Sequence, residues 1–105
     1  MLHIHDVMLD AITTMRPMVR VIERHDRDLA SQLKRAASSV VLNVAEGSGS
    51  FGGVRTQRYR TALGSARETL SCLLVAERFG YVEGIPAALG AQMNRVIGTL
   101  VRVAT

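Results

Sequence analysis

A chain of 105 residues in which 48% are hydrophobic, 4% aromatic and none Trp reads as one domain, residues 1–105, whose Leu, Val, Ile, Ala and Met core favours helix packed on helix. Its single cysteine, Cys72, excludes an internal disulfide and a Cys-based zinc centre and suits a reducing, cytoplasmic setting. Cations outnumber anions 13 to 9, a net +4 carried almost wholly by Arg, which fits either a polyanion-binding face or an ordinary solvated one.

The N-terminal run MLHIHDVMLDAITTMRP is interrupted by Asp6 and Asp10 before it reaches the length of a signal peptide or a membrane span, so neither is expected. The first predicted helix places Ile4, Met8, Ala11, Met15, Val19 and Ile22 on one side at helical spacing, with Asp6, Asp10, Thr13, Arg20 and Arg24 largely opposite. Pro17 lies inside it. A mid-helix proline forfeits a backbone hydrogen bond at a cost of about 3 kcal/mol, so a kink or a split near Arg16 is expected. The second helix starts near Asp26 or Asp28, either able to cap it, and runs through Leu29, Leu33, Ala36, Val40 and Val44 to an end at Gly47. The third runs from about Val54 to Phe79, with Tyr59, Leu63, Ala66, Leu70, Leu73 and Leu74 on one stripe and Gly80 as its cap. The fourth opens near Pro86 and carries Leu89, Met93, Val96, Leu100 and Val103. Short connections make consecutive helices antiparallel neighbours. The fold class expected is therefore all-α, an antiparallel up-and-down four-helix bundle.

Two helices carry more apolar surface than one bundle can hide. Val41, Leu42 and Ala45 lie off the stripe of the second helix, and Gly64, Glu68, Cys72, Val75 and Phe79 form a second face on the third. These surplus faces point to self-association. Asn43, near the Val40–Val44 stripe, needs a partner such as a neighbouring helix backbone, because an unpaired buried amide costs about 1–3 kcal/mol. Glu46, in the last turn of its helix, needs a cation, with Arg35, Arg55, Arg58 and Arg67 as the candidates. Both residues are read as holding loop geometry or packing register.

Gly47, Gly49 and Gly52 spell G-x-G-x-x-G, but the dinucleotide motif follows a strand and opens a helix, whereas this run follows a helix in a chain with no strand pattern. Gly53 and Val54 stand where a P-loop needs Lys and Ser or Thr. The run is read as a helix reversal, with a weaker alternative in which the start of the third helix, Arg55 and Arg58 hold a phosphate. His3, His5 and Asp6 lack further metal ligands, so no metal site and no cofactor is expected, and Cys72 lacks a paired base, so the chain is not read as an enzyme. Arg60, Arg67 and Arg78 align to within about 20° along one flank of the third helix. That stripe suits diffuse contact with a nucleic-acid backbone, unless Glu68 and Glu77 neutralise it.

The runs QLKRAASSVVLNVAEGSGS and RYRTALGSARETLSCLLVAERFGYV, between Gln32 and Val82, resemble a bacterial four-helix-bundle family. It includes proteins encoded in intervening sequences of 23S rRNA genes and accessory variability proteins of diversity-generating retroelements. The positions carried over are Asn43, Ala45, Glu46, Gly47, Gly64, Ser65 and Glu68. The resemblance implies a cytosolic bundle assembling as a ring, a homopentamer, and, from its retroelement members, binding to nucleic acid and a reverse transcriptase. Val41 stands where members often carry proline, so the second helix is expected to be straighter. The expectation is a homo-oligomeric, non-enzymatic bundle touching RNA or DNA, or a nucleic-acid-handling partner such as a reverse transcriptase, through Arg55, Arg58, Arg60 and Arg67, with Asn43, Glu46, Gly47, Gly64, Glu68, Cys72 and Val75 serving the assembly. The alternative is a structural or adaptor ring with no nucleic-acid role.

Overall fold

The computed structural model describes residues 2–105 as four helices, α1 (Ile4–His25), α2 (Arg27–Ser48), α3 (Gly52–Arg78) and α4 (Ala87–Val103). Each helix packs on its neighbour in the chain, and α4 returns to α1, so the four surround one shared core. This is the up-and-down four-helix bundle that the periodicities predict. Long side chains fill its centre: Met8, Met15 and Ile22 of α1, Leu33 and Val40 of α2, Leu73 of α3, and Leu89, Met93 and Leu100 of α4.

Pro17 does not split α1, which is continuous from Ile4 to His25. Met15, Met18 and Ile22 flank the proline and are buried. Burying each such side chain is worth about 1.5–3 kcal/mol, so together they outweigh the loss of one helical hydrogen bond. A single extended residue, Asp26, then separates α1 from α2. Its amide closes α1 on the Ile22 carbonyl at 2.7 Å, and its carboxylate caps α2 by accepting from the Leu29 amide at 2.9 Å. Of the two aspartates able to start α2, Asp26 does so and Asp28 lies in the first turn.

The far end of α3 closes as expected. Gly80, at φ +77°, takes the left-handed conformation that favours glycine, while its amide reaches Glu77 O and the Tyr81 amide reaches Ala76 O, both at 2.9 Å. That pair of bonds is a Schellman motif.

The inward stripe of α3 departs from the reading that placed Leu63, Leu70 and Leu74 on it. Tyr59, Ala62, Ala66, Thr69, Cys72, Leu73 and Ala76 are buried, whereas Leu63 and Leu70 are half-buried and Leu74 is 42% exposed. The small residues turn inward because α2 and α3 form the most extensive helix pair in the bundle, and close packing favours short side chains there. Thr69, fully buried, satisfies its hydroxyl by donating to Ser65 O at 2.8 Å.

Removing the α2 cap through Asp26→Ala is expected to lower stability by about 1 kcal/mol, read from chemical denaturation, while Asp28→Ala changes it by a few tenths.

Candidate assembly and nucleic-acid interface

The glycine run is a built reversal. Helix α2 continues one residue past Gly47, so Gly47 is not its cap. Its role is close approach: a Cβ there would stand 2.5 Å from Cε1 and 2.7 Å from Cδ1 of Tyr59, and the Tyr59 ring is itself buried. The Gly49 amide donates to Ala45 O and Glu46 O, the Ser50 amide to Gly47 O at 3.1 Å, and Ser50 Oγ to Glu46 O at 2.7 Å. These donors close α2 on itself and are not left free to cradle a phosphate. Gly52, at φ +55°, then turns the chain into α3.

The two arginines that open α3 face back towards the end of α2. Arg55 Nε donates to Gly47 O at 3.2 Å, and Arg58 Nη1 pairs with Glu46 Oε2 at 2.9 Å. Both answer the negative end of a helix, where orphan carbonyls and an ill-placed carboxylate need cations. Arg58 is one of the four partners expected for Glu46. The pair is half exposed and so worth at most about 1 kcal/mol; it fixes geometry more than stability. Arg60 is engaged elsewhere, donating from Nε to Ala104 O at 3.1 Å and tying α3 to the end of α4. Arg67 is exposed and, among the described residues, has no partner. Three of the four arginines expected at nucleic acid are thus already bonded within the chain. The signal for this was in the sequence: the first turns of a helix that reverses direction lie nearest the last carbonyls of the helix before it.

Arg78, on the same flank as Arg67, is also exposed and unpaired among the described residues. Neither Glu68 nor Glu77 engages an arginine; the ion pairs among the described residues are His5–Asp6, Lys34–Glu23 and Arg58–Glu46. The neutralisation that the sequence allowed for is not formed.

Asn43 finds its partner in its own helix, not in a neighbouring backbone. Its Nδ2 donates to Ser39 O at 2.9 Å and to Ser39 Oγ at 3.1 Å. Ser39 Oγ in turn meets Ser65 Oγ at 2.7 Å, carrying the chain of hydrogen bonds from α2 to α3. Asn43 therefore orients a polar bridge between the two helices.

The second face of α3 is exposed at Gly64, Glu68, Val75 and Phe79. A methyl group added at Gly64 would meet no neighbouring atom within 4 Å, so nothing inside the chain requires glycine there. Leu74, Val75, Arg78 and Phe79 border a shallow depression near the helix end. Cys72, expected on this face, is instead buried in the core at 4% exposure, on the side of α3 that meets its neighbours. Burial, and then the charge of Glu68, push its thiol above the ordinary value, which keeps it protonated and unreactive. On α2 the surplus reduces to Leu42, 61% exposed, with Val41 and Ala45 half-buried. His5 Nδ1 and Asp6 Oδ1 stand 3.7 Å apart, and no three potential metal ligands cluster among the described residues. No helix among the described residues is long and apolar enough to cross a membrane.

The profile of the 23S rRNA-intervening sequence protein family matches residues 7–101, most of α1 through most of α4. The chain belongs to this family. The match extends well beyond the Gln32–Val82 runs that carry the resemblance, taking in the N-terminal helix that the motifs left out. The chain also has the fold of a protein of unknown function from the S23 ribosomal protein family of Bacteroides thetaiotaomicron VPI-5482, solved at 1.70 Å. The two agree with a TM-score of 0.78 over 97% of this chain and 98% of that one, at 15% identity. A comparison with curated proteins finds no match.

Gly47→Ala is expected to cost about 1–3 kcal/mol in chemical denaturation, because the added methyl must displace a buried ring. Combining it with Tyr59→Leu is expected to recover part of that loss, which a double-mutant cycle reads directly.

Proposed function

We propose that this protein is a non-enzymatic, self-assembling bundle that binds a nucleic-acid backbone through arginines left free on its exterior. The carrying observation is the outer side of α3. It sets Gly64, Glu68 and Val75 on one exposed seam, and Arg67 and Arg78, unpaired among the described residues, on the adjoining flank. An exposed glycine inside a helix costs about 0.5–1 kcal/mol relative to alanine. With no close contact inside the chain to explain Gly64, a second copy approaching its backbone supplies the reason. The assembly is a closed ring, with five subunits as the number implied by the resemblance. Phosphates meet the guanidinium flank beside the seam.

A second reading, a structural or adaptor ring without a nucleic-acid role, draws on a specific observation too: Arg55, Arg58 and Arg60 are bonded within the chain. Fluorescence anisotropy with labelled RNA and DNA oligonucleotides separates the two. Backbone binding predicts an affinity that falls linearly on a log–log scale with salt, and a shallower slope in the Arg67→Ala, Arg78→Ala double variant. Absence of binding at low salt leaves the adaptor ring.

The seam has its own test. Gly64→Arg, at an exposed position where an added Cβ meets no neighbouring atom within 4 Å, is expected to leave the subunit folded by circular dichroism. In sedimentation it reduces the ring to species of one or two subunits.

A further inference from the structure

The end of the bundle where α1 turns into α2 and α3 into α4 carries stacked rings. Tyr81 lies parallel to His25, with 5.1 Å between ring centroids and 7° between planes, and it also stacks with Phe79 at 5.5 Å and 19°. The two contacts differ in what they do for the fold. His25 ends α1 and Tyr81 is half-buried against the core, so their contact fastens the connection after α3 over the turn between α1 and α2. Phe79 adds little to that, for it remains 69% exposed. A phenyl ring gains from leaving water, yet in this chain it stays there.

Phe79 borders an open depression of about 310 Å³, together with Leu74, Val75 and Arg78. Tyr81 takes no part in that lining; with Pro17, Met18 and Val21 it borders a separate hollow against α1. The Phe79 ring is thus steadied by Tyr81 and still open towards the depression. Among the described residues Arg78 is the one charged group in the lining, and it has no ion-pair partner. Glu77 and Glu83, the acids nearest in sequence, do not line it. An aromatic surface beside an unanswered guanidinium, in an otherwise apolar hollow, fits a flat ring joined to an anion. A nucleobase with its phosphate has that form: aromatic rings stack offset, and every base offers a π-face. Within a duplex both faces of a base are covered by its neighbours. Only an unpaired base can lie on Phe79.

We propose that Phe79 is a stacking platform for an unpaired base of a single-stranded nucleic acid, with Arg78 meeting the phosphate. The proposal rests on the reading that the Arg67 and Arg78 flank binds a nucleic-acid backbone, and it names the strand form which that flank takes. Arg67 stands eleven residues before Arg78, about 16 Å along the helix and on the same side, so one short strand reaches both guanidinium groups while a base lies on Phe79. Tyr81, backed by His25, holds the platform in orientation before a ligand arrives, which lowers the cost of ordering it. Val75 belongs both to this hollow and to the seam, so the rival occupant is a second copy of the chain.

The chain contains no Trp, so Phe79→Trp places a single reporter on the platform. Its fluorescence is expected to be quenched by single-stranded RNA and DNA oligonucleotides, and not by an abasic strand of equal length. In anisotropy the wild-type chain is expected to bind the intact strand about fivefold or more tightly than the abasic one, a difference that Phe79→Ala removes. Phe79→Ala is also expected to sediment as the wild-type chain does. Equal wild-type affinity for intact and abasic strands, an unquenched Phe79→Trp, or a preference that survives in Phe79→Ala overturns the platform and leaves the backbone reading standing. A smaller species of Phe79→Ala in sedimentation places a second copy on the ring and overturns it as well. Absence of binding by any oligonucleotide at low salt overturns both readings.

Discussion

Close approach of α2 and α3 is the constraint from which the rest of the structure follows. Ala62, Ala66 and Ala76 of α3 and Ala36 and Gly47 of α2 are buried, so the two helices meet through short side chains. At the loop end the approach is tightest: Gly47 lies against the ring of Tyr59, leaving no room for a methyl. Farther along, Ser39, Ser65 and Asn43 form a polar bridge that fixes register where alanines alone would allow sliding. Hydrogen bonds specify position here while apolar burial supplies most of the stabilisation.

The same constraint decides what the arginines do. Bringing the start of α3 under the end of α2 places Arg55 and Arg58 beside the carbonyl of Gly47 and the carboxylate of Glu46. With both guanidinium groups engaged by acceptors of α2, this turn offers a ligand anion less positive charge than its residues suggest. Charge that looks available in a list of residues is therefore partly internal wiring. Unpaired positive charge among the described residues sits farther along α3, at Arg67 and Arg78, and elsewhere on the exterior at positions such as Arg16, Arg20, Arg27 and Arg95.

The bundle was legible because each helix carries a full apolar stripe and a recognisable stop. Asp26, Gly80 and Pro86 act where their chemistry places them. The inward side of α3 was harder to read. Its leucines outrank its alanines in hydrophobicity, so Leu63, Leu70 and Leu74 drew the stripe away from Ala62, Thr69 and Cys72, although the short residues are the ones that fit against α2. Hydropathy measures what gains from leaving water; it does not measure the space a neighbouring helix leaves. The continuity of α1 through Pro17 is a related case, where burial on both sides of the residue outweighs its local preference. Glu46 declared its need for a cation through its position, but choosing Arg58 among four arginines required the turn geometry.

The exposed side of α3 is where these constraints leave room for a partner. Its seam mixes glycine, glutamate and valine without internal symmetry, so on the proposed reading it meets a different surface of the next copy, the head-to-tail relation from which closed rings are made. The flank that carries Arg67 and Arg78 then follows the rim of that ring, where a polyanion can reach several subunits at once.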